Sequence, residues 1–212
     1  MIPVTLTANV FILNERLRLK SIKSIIVNSV IGTIELSTFT MFAGKTSELL
    51  KRILWAKHQN KKIIVIKPSL DDRYSNEKII THNDLSHECY AMNDWPTTLK
   101  KFNFEKSEVD MVFLDEIQFM DTKHTLDNVE IILSKGIDVV CAGLDQDSRG
   151  KPWETSSMLL GLSDKIVKIY GFCNVCGLEA TKTYRKTEGG ERTQVGAANI
   201  YEPRCLKHWE PR

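Results

Sequence analysis

The chain has 212 residues and a mass of 24.2 kDa, enough for one ordinary domain that buries about 70% of its unfolded surface. Apolar residues make up 42% and charged residues 26%, which excludes a wholly disordered, collagen-like or coiled-coil chain. The 29 basic and 27 acidic residues give a net charge of +2, without the basic surplus typical of a nucleic-acid-binding domain.

Residues 1–31 form an N-terminal extension whose role the sequence does not indicate. They hold four basic residues and one acidic residue, so the rest of the chain carries a net charge of −1. The longest stretch without charged residues, Met1 to Asn14, is shorter than the roughly 20 apolar residues that span a bilayer. Because a basic secretory start is also missing, we expect a cytoplasmic chain with no membrane or nucleic-acid partner. An amphipathic or transit-like leader is the alternative to a simple added element.

Apolar periodicity from residue 32 onward predicts strands that alternate with helices. Residues 32–38 alternate between apolar and polar and predict a strand, and an amphipathic helix with apolar residues at 49, 50, 53 and 54 follows it. Further strands are predicted at 63–66 before Pro68, at 109–114, at 137–143 and at 165–170, with a helix near 126–133 that ends at Gly136. This alternation is typical of an α/β fold with a parallel sheet flanked by helices.

Gly44, Lys45 and Thr46 lie between the first predicted strand and the first predicted helix. A phosphate-binding loop needs this position, because its backbone N–H groups and the helix N-terminus meet the phosphates. Its Lys reaches the β- and γ-oxygens, and its hydroxyl binds Mg²⁺. The full motif would also have a glycine at position 39, where this chain has Phe39. The position between strand and helix, more than the tripeptide itself, indicates the loop.

Two adjacent acids, Asp115 and Glu116, follow the apolar run 109–114. A strand that ends at the carboxyl edge of a parallel sheet would place both acids at the nucleotide crevice. There one carboxylate can hold Mg²⁺, directly or through water, and the next can accept a proton from a nucleophile. Together with the phosphate loop, the pair predicts a phosphoryl-transfer site rather than a polar strand end.

Near Gly171 the composition changes, and two pairs of zinc-type ligands follow. Cys173 pairs with Cys176 and Cys205 with His208, each with two residues between the members. Two such pairs can close a tetrahedral Zn²⁺ site. No fifth ligand or adjacent general acid is evident, so we predict structural zinc, with reduced core cysteines as the alternative. The glycine-rich residues between the pairs would form a loop stapled at its base, which suits a lid over a small substrate.

Taken together, the motifs resemble the cytosolic, bacterial and viral type of thymidine kinase, the family with a zinc-stapled lasso, over residues 32 to about 208. The motifs are residues 41–46 (MFAGKT), 67–75 (KPSLDDRYS), 115–119 (DEIQF) and 143–152 (GLDQDSRGKP), with Tyr201 before Cys205. The resemblance implies a P-loop NTPase-like (RecA-like) nucleotide-binding domain over 32–170 and a zinc-binding lasso or lid over 171–212. It also implies transfer of the γ-phosphoryl group of ATP to the 5′-hydroxyl of thymidine, with deoxyuridine as a second substrate and dTMP supplied for DNA precursor salvage.

The resemblance further implies a role for each matching residue. Glu116 would be the general base and Lys45 would neutralise the phosphates, while Thr46, Asp71 and Asp115 would serve Mg²⁺ directly or through water. The implied nucleotide-binding set is Met41, Phe42, Ala43, Gly44, Lys45, Thr46, Asp71, Arg73 and Asp115. The implied thymidine-binding set is Met41, Arg73, Gln118, Phe119, Leu144, Thr183, Val195, Gly196 and Tyr201, and the implied structural zinc ligands are Cys173, Cys176, Cys205 and His208. A homo-oligomer, tetramer or dimer, and feedback inhibition by dTTP are further expectations.

Some positions depart from the family pattern. Ser148 stands where an aromatic residue is frequent, which leaves the preference for thymidine over deoxyuridine open, and Trp153 replaces a smaller aromatic residue. His208 stands where some members have a fourth cysteine, an exchange that Zn²⁺ accepts.

From the residues alone, two other functions stay open. One is a nucleic-acid-stimulated ATPase motor, disfavoured by the −1 charge of the main body and the lack of a basic aromatic groove. The other is a zinc-ribbon binding module on an inactive nucleotide fold.

Overall fold

A computed structural model of the chain describes residues 32–69, 78–80, 86–189, 191–192 and 199–211. The extension at 1–31 lies outside the described residues. The strands are β1 (Ile34–Phe39), β2 (Ile63–Pro68), β3 (Lys78–Ile80), β4 (Ser86–Glu88), β5 (Tyr90–Met92), β6 (Met111–Leu114), β7 (Asp138–Leu144), β8 (Lys165–Ile169), β9 (Gly171–Phe172), β10 (Glu179–Ala180), β11 (Lys182–Arg185) and β12 (Tyr201–Arg204). The helices are α1 (Lys45–His58), α2 (Trp95–Lys101), α3 (Thr122–Ser134) and α4 (Glu154–Leu162), with two short 3₁₀ helices, Ile117–Phe119 and Leu206–His208.

Six strands form the central sheet in the order β5-β2-β6-β7-β1-β8. Every neighbouring pair in it is parallel. The prediction of a parallel α/β sheet is therefore confirmed. Because parallel strands end at the same edge, the segments that follow β1, β6 and β7 lie side by side, and these are the segments that carry the predicted chemistry.

Apolar side chains cover the sheet on both faces. On one face, Leu49 and Ile53 of α1 pack into a cluster with Phe113 of β6 and Val140 of β7. On the other face, apolar residues of α2, α3 and α4 pack against alternate positions of the same strands. Burial on both faces explains why β6 and β7 consist of nearly continuous apolar residues.

Several elements have bounds or positions that periodicity did not indicate. The predicted strand at 109–114 begins two residues later, because the Val109 N–H donates to the Glu105 carbonyl in a turn. Helix α2 has seven residues, and it starts where the Asp94 carboxylate accepts from the Thr97 N–H at 2.7 Å. Its Trp95 indole N–H donates to Thr125 Oγ1 on α3, and this contact joins two helices of the same face.

The C-terminal elements are short antiparallel pairs. β9 pairs with β10, and β11 pairs with β12. Among the described residues, we find no helix with the length and apolar character needed to cross a membrane.

Candidate active site and metal centre

The segment between β1 and α1 makes a tight turn at the carboxyl edge of the sheet. The Ala43 N–H donates to the Thr40 carbonyl, and Phe42 and Gly44 have positive φ angles of 64° and 88°. Glu48 then donates its N–H to the Gly44 carbonyl, which starts α1 directly after the turn. The loop thus takes its left-handed residues at positions 42 and 44, and Phe39 lies in β1 rather than in the turn.

Lys45, at the start of α1, contacts both acids that follow β6. Its Nζ lies 2.9 Å from Asp115 Oδ1 and 2.6 Å from Glu116 Oε1. The three side chains are only 12%, 4% and 7% exposed. Burial by itself lowers the pKa of Lys45, but the two carboxylates outweigh burial and raise the pKa above its usual value. The amine is therefore charged at neutral pH.

The pKa of the Asp115 carboxyl is raised above the usual value for an aspartate. Burial raises the pKa of its carboxyl, Lys45 opposes this, and the nearby Glu116 raises the pKa further. The Asp115 Oδ1 atom also accepts from the Glu116 N–H at 2.9 Å. Two carboxylates and one ammonium at such short distances form a site whose charge distribution suits a cationic or proton-bearing ligand.

Glu116 has an unusual backbone conformation. Its φ of 51° and ψ of 42° are left-handed, a region that non-glycine residues seldom occupy. The turn carries the chain from β6 into the 3₁₀ helix Ile117–Phe119. Such local strain is concentrated at functional sites in proteins.

Gln118, two residues on, is buried and uses both ends of its amide. Its Nε2 donates to Glu116 Oε2 at 2.5 Å, and its Oε1 accepts from the Leu144 N–H at 3.0 Å. Leu144 is the last residue of β7, so this side chain connects the ends of two neighbouring strands.

The described residues of the predicted thymidine-binding set come from five segments: the loop before α1, the first 3₁₀ helix, β7, β11 and β12. The Met41 N–H donates to Thr183 Oγ1 of β11 at 3.2 Å, which joins the phosphate loop to the C-terminal strands. Phe42 and Tyr201 line one cavity of about 280 Å³, beside Pro203. The structure thus brings predicted residues of the phosphate loop together with those of β11 and β12.

Phe119 packs against Trp153, one of the residues that depart from the family pattern. Its ring meets Trp153 edge to face, with centroids 5.9 Å apart. The guanidinium of Arg192 lies over the same indole at 4.2 Å.

The loop after β7 is bound to the C-terminal elements by contacts that the sequence did not indicate. Trp209 donates its indole N–H to the carbonyls of Ser148 and Thr183, at 3.3 and 3.0 Å. Arg192 Nε lies 2.7 Å from the buried carboxylate of Asp147. No spacing or motif marks Trp209 or Arg192, because each acts on a partner more than 25 residues away in sequence.

Four predicted site residues are not part of the described structure. Asp71 and Arg73 fall in 70–77, and Val195 and Gly196 fall in 193–198. Their predicted roles stay predictions.

Cys173, Cys176, Cys205 and His208 meet in one cluster. Their ligand atoms all lie within 4.8 Å of one another. The Cys176 and Cys205 sulfurs are 3.8 Å apart, and Zn–S bonds of about 2.3 Å would give a tetrahedral S···S edge of about 3.8 Å. His208 turns Nδ1 toward the sulfurs of Cys205 and Cys173, at 3.2 and 3.8 Å. Donor set and spacing fit a tetrahedral zinc ion.

Backbone geometry prepares Cys173 for a metal. The Cys173 N–H donates to the Leu178 carbonyl, and the Gly177 N–H, at a φ of 73°, donates back to the Cys173 carbonyl. Burial tends to raise the pKa of Cys173, but hydrogen bonds from the backbone at 175, 176 and 205 and from His208 lower it to about 5. A thiol that is readily ionised is the form that binds zinc.

The sequence also matches a known protein family. The family described as thymidine kinase matches residues 32–209, most of the chain, and the match includes both the Lys45 cluster and the cysteine–histidine cluster.

Proposed function

The chain belongs to the thymidine kinase family, and we propose that it transfers the γ-phosphoryl group of ATP to the 5′-hydroxyl of thymidine in a Mg²⁺-dependent reaction. The observation that carries the proposal is the contact of Lys45 with Asp115 and Glu116, since Lys45 directly follows the turn at residues 40–44 in sequence. A phosphate loop, a cation and two acids are together what phosphoryl transfer needs, because the reaction depends on positioning and charge stabilisation.

Glu116 is proposed as the general base. It takes the proton of the 5′-hydroxyl while the 5′-oxygen bonds to the γ-phosphorus, and the bond to the β–γ bridging oxygen breaks to release ADP. Lys45 leaves its ion pairs to meet the β- and γ-oxygens as ATP enters the loop. This exchange also removes the 2.6 Å contact between Lys45 and Glu116 Oε1.

Thr46 and Asp115, with Asp71 from the undescribed segment, are the proposed Mg²⁺ ligands. When bound, Mg²⁺ would neutralise phosphate charge. Asp115 fits this role because it is an acid at the end of β6, beside Lys45, with one oxygen already used by Lys45 and the Glu116 N–H.

We propose residues 32–170 as the nucleotide-binding domain and 171–212 as the lasso, held by structural zinc. The thymidine pocket in this proposal includes Met41, Leu144, Thr183 and Tyr201, together with Gln118, Phe119 and, from the undescribed segments, Arg73, Val195 and Gly196. The hydrogen bond between Met41 and Thr183 supports a lasso that closes directly over the phosphate loop. A wall against the thymine methyl discriminates by only about 1–3 kcal/mol, so deoxyuridine is a second substrate.

We also propose a cytoplasmic homo-oligomer, tetramer or dimer, that dTTP inhibits and that supplies dTMP for DNA precursors. Light scattering on the purified chain tests the oligomer. Inhibition by dTTP that thymidine relieves tests whether the two compete for one pocket.

The central experiment measures ADP release from Mg-ATP with thymidine, beside reactions with no acceptor, with other nucleosides and with single-stranded DNA. We expect thymidine-dependent release, with thymidine monophosphate identified by chromatography and deoxyuridine accepted less well. Release that depends on DNA alone would indicate an ATPase motor. ATP binding without turnover of any nucleoside would indicate a zinc-binding module on an inactive nucleotide fold.

A further inference from the structure

Both oxygens of the Glu116 carboxylate are held, but by partners of different kinds. Oε1 contacts the Lys45 ammonium at 2.6 Å and Oε2 accepts from the Gln118 amide at 2.5 Å. In the proposed reaction Lys45 turns to the ATP phosphates, because its positive charge neutralises theirs. The Gln118 amide is neutral and has no such reason to leave Glu116. The hydrogen bond from Gln118 is therefore a contact that can persist through the reaction.

Gln118 is itself fixed. Its Oε1 accepts from the Leu144 N–H at the end of β7, so the amide cannot rotate without losing a buried hydrogen bond. A Cβ at Gly143 would lie 2.7 Å from Gln118 Oε1 and 2.5 Å from the Ile117 side chain. The absence of a side chain at position 143 is what allows Gln118 to pack against β7.

We propose that Gln118 is a positioning residue that fixes the orientation of the Glu116 carboxylate through Oε2, so that Oε1 is aimed for proton transfer, an inference that rests on the proposed role of Glu116. The left-handed backbone at Glu116 supports it. A side chain on a strained turn is not oriented by a regular helix or strand, and the hydrogen bond from the amide two residues later constrains it.

A double-mutant cycle over Gln118→Met and Glu116→Gln tests this proposal. Methionine keeps the size of the side chain but donates no hydrogen bond. Because charge-assisted hydrogen bonds are the strong ones, we expect Gln118→Met to lower kcat about tenfold or more in the parent chain. In the Glu116→Gln background it should lower kcat by less than about twofold, because the carboxylate whose proton transfer Gln118 assists is already gone. Any contact of Gln118 with thymidine should change KM by the same factor in both backgrounds. The ATP affinity should stay within about twofold in every variant.

The outcomes separate the two proposals. A Glu116→Gln chain with near-parental kcat would remove Glu116 as the base, and the proposed mechanism would fail with it. A slow Glu116→Gln chain in which Gln118→Met costs the same factor as in the parent would overturn only the positioning role, since a purely structural residue acts in both backgrounds.

Gly143→Ala gives a second route that leaves Gln118 intact. The added methyl group pushes the amide away from β7, and we expect the same fall in kcat with the same dependence on Glu116. Equal falls in both backgrounds, or no fall in the parent, would overturn the inference.

Discussion

Lys45 determines the charge of the active site. It is one cation between two buried acids, and its removal would leave Asp115 and Glu116 without the ammonium that both contact. Removal of one partner from a buried ion pair is far more costly than loss of a surface pair, because the remaining charge stays desolvated. The same amine is the proposed ligand of the ATP phosphates, so its loss affects both the empty and the loaded site.

We expect Lys45→Met to lower ATP affinity and to reduce kcat by more than about 10²-fold, since phosphate charge is no longer neutralised. Calorimetric ATP binding and steady-state kinetics measure both effects. Lys51→Met on the same helix is the control, because Lys51 is half exposed and its ion pair with Glu48 is weak. An ATP affinity within twofold of the parent value would contradict the role of Lys45.

Glu116→Gln tests the base. The change keeps the shape of the side chain, so ATP affinity should be retained while kcat falls by about 10²–10⁴, the usual contribution of a general base. Glu130→Gln on the exposed face of α3 is the control. Near-parental turnover in Glu116→Gln would assign proton transfer to another group.

At the scale of elements, the cluster of Cys173, Cys176, Cys205 and His208 joins segments too short to be stable alone. β9 and β10 have two residues each, and the second 3₁₀ helix has three. A two-stranded hairpin of this length is marginal in water, so a zinc ion bound by the cluster would supply stability that the hairpin lacks.

Cys176→Ser removes one of the four clustered ligand residues and should loosen the lasso at its base. We expect one zinc per parent chain, a lower zinc content in the variant, and a rise in thymidine KM with little change in ATP KM, because the lasso loses its anchor while the phosphate loop keeps its own. Metal analysis and kinetics with each substrate varied provide the test. Cys89→Ser, outside the cluster, is the control. Parental thymidine KM and kcat in zinc-poor Cys176→Ser would argue against a lid.

Trp209 joins the lasso to the loop after β7 through a single indole N–H. Trp209→Phe keeps an aromatic ring and removes that donor, so two buried carbonyls lose a partner. We expect thymidine KM to rise several-fold and the melting temperature to fall slightly, with ATP KM unchanged. Trp55→Phe is the control, since Trp55 is half exposed on α1. A larger effect on ATP than on thymidine would count against this link.

At the scale of the whole molecule, local patterns predicted the elements of the core but not their arrangement. The buried runs at β2, β6 and β7 and the face of α1 are visible in sequence, because burial on both faces leaves a continuous apolar run. The strand order is not visible, because β1 lies between β7 and β8, which come more than 100 residues later. Short elements such as α2 and β9 have too few residues to show a periodic pattern of apolar side chains.

The candidate site also contains residues that the sequence predicts and contacts that it does not. Lys45, Asp115 and Glu116 could be predicted because each follows a strand that ends at the same edge of the sheet. The double use of the Gln118 amide, and the contacts of Trp209 and Arg192, depend on side chains from distant segments. Periodicity and spacing contain no information about such partners.

Adjacent residues on α1 give a matched test of the core. Ile53 is fully buried and Leu54 is 57% exposed. We expect Ile53→Ala to lower the free energy of unfolding by about 2–5 kcal/mol, because a cavity remains under α1, and Leu54→Ala to lower it by less than about 1 kcal/mol. Urea unfolding with zinc present measures both. Similar losses for the two variants would mean that α1 packs on the sheet through another face.

The position of β1 inside the sheet has a consequence for synthesis. Thr33, at its start, bonds to Asp138, 105 residues later in the chain, so a ribosome working at about 5–20 residues per second leaves β1 without its neighbours for several seconds. During that time the strands β7 and β8, which later flank β1, are not yet available to pair with it. The nascent chain therefore passes through a stage in which β1 is unpaired, and chaperone capture at this stage would protect the strand that precedes the phosphate loop.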